Sequence, residues 1–218
     1  MNKDNLFNYL SEQKKEVILD LLNKSYVEMS IDQQNNVFGV INKKVPLKNI
    51  NDIELLDDID VFCQLSSSGY YYRPFNINSK NYSHIPEETN EWFESLADFL
   101  KNSSQLTAQE DHITAVKCFK KLYDLIEKME DGEDIIFADE YGSWMIPTNE
   151  KPLLISFFTS LSKVKNAIEF SEIAIPIIIR DSYMSYVNDV YSLVINISNK
   201  EQGELLKKEI KDKEIKVK

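Results

Sequence analysis

The sequence predicts an all-α protein, an irregular array of antiparallel helical hairpins that resembles an α–α superhelix. Two observations favour this class. The 218 residues include only 5 glycines and 6 prolines, about half of the usual share of roughly 12%, whereas β-sandwiches need such turn residues about every 8–12 positions. Apolar residues also recur at helical spacing over long stretches of the chain.

Residues 1–65 are predicted to form an N-terminal helical hairpin region. The spacing of apolar residues predicts one helix over residues 6–29 and a second that ends near residue 44, shortly before Pro46. Two aspartates interrupt the apolar pattern of residues 47–65, where a short helix is favoured over a strand.

Residues 66–86 are predicted to form a connecting loop that is rich in aromatic residues and asparagine. Residues 66–69 form a flexible joint, and no helical period follows before Pro86. Loops of this length in compact domains are either functional or ordered by their own packing.

Residues 87–218 are predicted to form a helical array. It begins with a hairpin of two long helices, the first starting at Glu87 and the second covering residues 107–130, with a turn at residues 102–105. A shorter aromatic segment follows at residues 134–147. Further helices are expected over residues 153–164, 166–180, 182–198 and 200–218. Pro176 should kink or end one of them, and residues 173–179 alone also fit a strand.

Three stretches carry a family resemblance: YYRPFN at residues 71–76, PEETNEWF at 86–93 and FADEYGSW at 137–144. With them, the chain resembles uncharacterised bacterial all-helical proteins over about a third of its length. Trp92 with Phe99, and Ala115 with Phe119, are also loosely similar to tetratricopeptide repeats, although the 34-residue period of that family is not repeated. The resemblance implies a helical fold and no activity.

Composition excludes several classes of protein. The glycines are isolated, so Walker and dinucleotide-binding loops are excluded, because they need several glycines within a few positions. The first ten residues are polar, unlike a signal peptide, and no apolar run approaches the ~20 residues of a membrane helix. Cys63 and Cys118 lack disulfide-framework spacing and are expected to be reduced. We therefore expect a cytoplasmic protein.

Residue spacing indicates neither a metal site nor a nucleophile. The acidic residues around Gly132 lack EF-hand spacing, and His84 and His112 form no zinc-like pattern with the cysteines. Ser160 and Lys163 match the Ser-x-x-Lys pattern of penicillin-binding enzymes, but the partner motifs of those enzymes are missing. No catalytic residue, metal or cofactor is predicted.

Negative charge is concentrated in the middle of the chain. Residues 84–140 carry 15 acidic and 5 basic residues, so nearly all of the net charge of −11 lies there. Such a field repels nucleic acid and membranes. It suits either a basic protein partner or a solvated helical face.

Within this stretch we predict an acidic surface with an aromatic rim, which would engage a basic segment of a protein partner. Carboxylates at the C-terminal end of a helix are unfavourable by a few tenths to ~1 kcal/mol each, because the helix dipole is negative there. Such local conflicts are more common at functional sites than elsewhere. A surface loop that Lys120 and Lys121 neutralise in part is an equally good interpretation. The predicted residues are Glu130, Asp131, Glu133, Asp139, Glu140, Tyr141 and Trp144.

The aromatic run at residues 70–75 is the second candidate surface, with Tyr71, Tyr72, Arg73 and Phe75 as its predicted binding residues. Tyrosine and arginine dominate interface hot spots. The same residues fit the seam between two helical hairpins, and this structural role is favoured over binding.

The leading functional hypothesis is non-catalytic protein binding, as an adaptor or as an immunity-like protein that neutralises a basic toxin. One alternative is a hydrolase or transferase in which carboxylates such as Asp139 and Glu140 act with a tyrosine as an acid–base pair. Another alternative is a structural subunit of a larger assembly, with an exposed apolar patch. The oligomeric state is left open.

Overall fold

The computed structural model describes residues 6, 9–11, 13–28, 50–76, 78–81, 84–137, 142–184 and 190–217. Over these residues the chain is all-helical and has no strand, as the sequence predicts. None of the described helices is both long and apolar enough to cross a membrane. The helices are α1 Lys15–Glu28, α2 Asp52–Ser67, α3 Glu87–Ala108, α4 His112–Glu130, α5 Glu150–Val164, α6 Ala167–Met184, α7 Val190–Ile197 and α8 Lys200–Asp212, with a 3₁₀ turn at Ser143–Met145.

The chain divides into two compact units, Met1–Pro46 and Leu47–Lys218. In the first unit, α1 lies within the helix predicted for residues 6–29. The second predicted helix of this unit, which ends near residue 44, lies outside the described residues. Helix α2 belongs to the second unit, although the sequence grouped residues 47–65 with the N-terminal hairpin.

The second unit is organised around α3, α4 and α5, each of which packs against the other two. Helix α2 covers α3 and α4, while α7 packs on α5 and α8 packs on α6. Large aromatic side chains fill the centre: Trp92, Phe119 and Phe157 are completely or almost completely buried. The ring centroids of Phe119 and Phe157 are 5.5 Å apart, a separation typical of favourable aromatic pairs.

Helix α3 continues without a break through residues 102–105, where the sequence predicted a turn, and ends at Ala108. The polar residues there face a helix rather than solvent: Ser104 bonds to Ser156 of α5, and Ser103 donates to the carbonyl of Phe99 within α3. The break comes later, where Glu110 has a φ of 66°. Asp111 then caps α4, because its carboxylate accepts from the amide of Thr114.

Residues 173–179 are helical, which settles the ambiguity left by the sequence. Helix α6 continues from Ala167 to Met184 with Pro176 inside it. Propensity alone disfavours proline in a helix interior. The apolar side chains of Ala174, Ile175 and Ile178 are buried in the core, and their burial holds the segment in the helix.

Helix α8 is tied to the rest of the unit by one buried amide. Asn199 and Gln202 form a reciprocal capping box at its first turn. The same Gln202 side chain donates from Nε2 to the carbonyls of Ser162, at 3.0 Å, and Lys165, at 2.8 Å. These carbonyls lie at the C-terminal end of α5. The Gln202 side chain therefore provides hydrogen-bond partners at the end of α5 and at the start of α8.

Trp92 and Ser66 form a buried hydrogen bond between α3 and α2. The indole Nε1 donates to the Ser66 hydroxyl oxygen at 2.9 Å, and the hydroxyl donates to the carbonyl of Phe62. Both residues are completely buried. The hydroxyl therefore satisfies an indole N–H that water cannot reach.

We predict that Ser66→Ala lowers the free energy of unfolding by about 1–3 kcal/mol, because it leaves the buried Trp92 N–H without an acceptor. Urea denaturation followed by circular dichroism measures this change. The control is Ser68→Ala, which removes an exposed hydroxyl at the end of the same helix and should change stability by less. Equal effects of the two substitutions would show that the Trp92 bond contributes little.

The two cysteines are free thiols, as the sequence predicts, and they differ in accessibility. Cys118 is completely buried, and burial raises the pKa of its thiol to about 11. Cys63 is half-buried, and burial raises the pKa of its thiol as well. Only a thiolate that a reagent can reach is reactive.

We therefore expect one fast and one slow thiol in the folded protein, with Cys63 modified first by a soluble aromatic disulfide at pH 8. The rates are followed by the absorbance of the released thiolate. Cys63→Ser should remove the fast phase, and urea should make both thiols of the native sequence react at similar rates. A Cys118 that reacts as fast as Cys63 without urea would contradict its burial.

Candidate functional site

The aromatic loop, residues 70–75, divides its side chains between the core and the surface. Tyr71 is 9% exposed and packs against Phe62 of α2, with ring centroids 5.7 Å apart. Tyr70 meets the edge of Tyr71 at 4.9 Å and is 51% exposed. Tyr71 is therefore part of the core, while Tyr70, which was not among the predicted binding residues, presents an aromatic ring to solvent.

The structure brings the aromatic loop against the segment that follows α4. Phe137 contacts Tyr72 and Phe75, with ring centroids 5.9 Å and 5.2 Å away. Gly69 enters the loop with a φ of +76°, and a Cβ atom there would lie 3.8 Å from the carbonyl oxygen of Asp134. The two candidate surfaces, about 60 residues apart in sequence, are therefore neighbours in the fold.

A shallow groove of about 380 Å³ lies between the aromatic loop and α3. Its walls include Tyr70 and three exposed carboxylates of α3, Glu91, Glu94 and Asp98. Lys101 pairs with Asp98 at 3.2 Å. Burial, followed by the neighbouring Tyr70 and the charge of Glu91, raises the pKa of Tyr71, so its hydroxyl is neutral. We call the groove lined by Tyr70, Glu91, Glu94 and Asp98 the acidic groove.

Sequence reasoning missed the three carboxylates of the acidic groove. They follow one another at intervals of three and four residues, so they occupy one face of α3, opposite the buried face that carries Trp92 and Leu96. This spacing was the available signal. The aromatic neighbour that turns the face into a groove comes from a loop 20 residues earlier, and no pattern in the sequence shows that contact.

Two carboxylates of the predicted acidic surface are exposed to solvent. Asp131 and Glu133 are exposed, and Trp144 is 59% exposed. Asp139, Glu140 and Tyr141 lie outside the described residues. In the aromatic loop, Arg73 is exposed and pairs with Glu88 at 3.3 Å.

Glu130 has a different environment from the other predicted residues. Its side chain is only 12% exposed, and its Oε2 lies 3.2 Å from Nε of Arg180. Ser143 donates to the other carboxylate oxygen and accepts from Nη2 of Arg180 at 3.1 Å. Glu150 adds a second carboxylate, 3.8 Å from the same guanidinium nitrogen. The charge of Glu130 is therefore neutralised inside the chain and is not presented to a partner.

The Ser160 and Lys163 pair belongs to a hydrogen-bond chain with His112. The Lys163 ammonium has no lone pair, so it donates to Nε2 of His112, 3.0 Å away. Nδ1 of the ring then carries the proton and donates to the Ser160 hydroxyl at 3.0 Å. Ser160 in turn donates to Thr107 at 2.8 Å, and Thr107 to the carbonyl of Ser156.

This arrangement is unsuited to nucleophilic catalysis. A serine nucleophile must donate its proton to the base, whereas here His112 donates to Ser160, which is also completely buried. The chain of bonds instead joins α5 to the end of α3 and the start of α4. Among the described residues, no group of three or more histidine, cysteine, aspartate or glutamate side chains is placed to hold a metal ion.

No protein-family model, curated protein or solved structure matches this chain. The all-α class rests on the helices and on their packing against one another. A role for the acidic groove must be argued from its side chains.

The ion cluster around Arg180 joins α4, α5, α6 and the 3₁₀ turn, and we expect it to be costly to break. Arg180→Met leaves the largely buried Glu130 charge unpaired and should lower the free energy of unfolding by about 2–4 kcal/mol. Urea denaturation measures the loss. Adding Glu130→Gln to Arg180→Met should restore part of it, since the unpaired charge is then removed.

Lys213→Met is the matched control for this substitution. Lys213 pairs with Glu209 at 2.9 Å on the exposed side of α8, and exposed pairs contribute at most about 1 kcal/mol. If Arg180→Met costs no more than Lys213→Met, the cluster does not hold these elements together.

Proposed function

We propose that this chain is a non-catalytic protein-binding module that takes a basic segment of a partner protein into the acidic groove. The observation that carries the proposal is the placement of Tyr70, exposed and aromatic, beside Glu91, Glu94 and Asp98 on α3. A tyrosine ring next to carboxylates suits an arginine or lysine side chain, which can stack on the ring and pair with the acids.

The surroundings of the acidic groove support a binding surface. Tyr71 packs into the core beneath Tyr70, so the exposed ring is carried on a fixed support and little side-chain entropy is lost when a partner binds. Asp131 and Glu133 are exposed just before the segment that packs against the aromatic loop, and they add to the negative charge near it. Such a field accelerates encounter with a basic partner and makes association dependent on salt.

The hypothesis predicts that a triple variant of the acidic groove, Glu91→Gln with Glu94→Gln and Asp98→Asn, loses its partner. Wild type and variant are immobilised and exposed to native lysate, and captured proteins are purified and titrated by calorimetry at 50 and 300 mM salt. We expect at least a tenfold loss of affinity in the variant at low salt and a much smaller salt dependence, because three charges are removed.

The matched control removes three exposed charges from α8 instead, with Glu201→Gln, Glu204→Gln and Asp212→Asn. It has the same net charge as the groove variant and should bind like wild type. Tyr70→Ala should weaken binding without changing the salt dependence, since it removes the ring and leaves the charges. A partner bound equally well by wild type, groove variant and control would exclude the acidic groove.

A further inference from the structure

We draw no further inference here: the strongest candidate, the cavity of about 310 Å³ between α4 and α6, has an apolar wall of Ile173, Pro176 and Ile177 with exposed carboxylates around it, and nothing in the structure shows what covers it.

Discussion

The structure depends on the packing of α4 between its neighbours. Helix α4 contacts α2, α3 and α5, and nine of its residues are buried, so three of its sides are fixed by apolar contacts. Burial of this extent supplies most of the stability of such a domain. Polar groups at its ends set the boundaries, with the Asp111 cap at the beginning and the Glu130 pair with Arg180 at the end.

The acidic groove is a consequence of this arrangement. The acidic groove lies on α3, whose buried side is held by Trp92 and Leu96. There α3 presents carboxylates beside an aromatic ring, and the apolar packing behind the helix fixes their positions.

The sequence was sufficient for the fold class and for most helices, because apolar stripes at helical spacing report local structure. It was insufficient where a distant residue decides the outcome. Ser104 resembles a turn residue until Ser156 of α5 provides its hydrogen-bond partner. Glu130 resembles a surface charge until Arg180, 50 residues away, is placed beside it. The acidic groove combines a helical face with a loop, and only the tertiary fold joins them.

The side chain of Gln202 has a consequence for the order in which the chain assembles during synthesis. It donates hydrogen bonds to the carbonyls of Ser162 and Lys165. Helix α8, which begins two residues before Gln202, packs on α6, and its Leu206 and Ile210 are buried. Until this helix leaves the ribosome, the part of α6 that it covers stays exposed and the carbonyls at the end of α5 lack the Gln202 donor. At that stage of synthesis the nascent chain exposes apolar surface that α8 later buries. Chaperones that recognise apolar segments can bind the chain at this point.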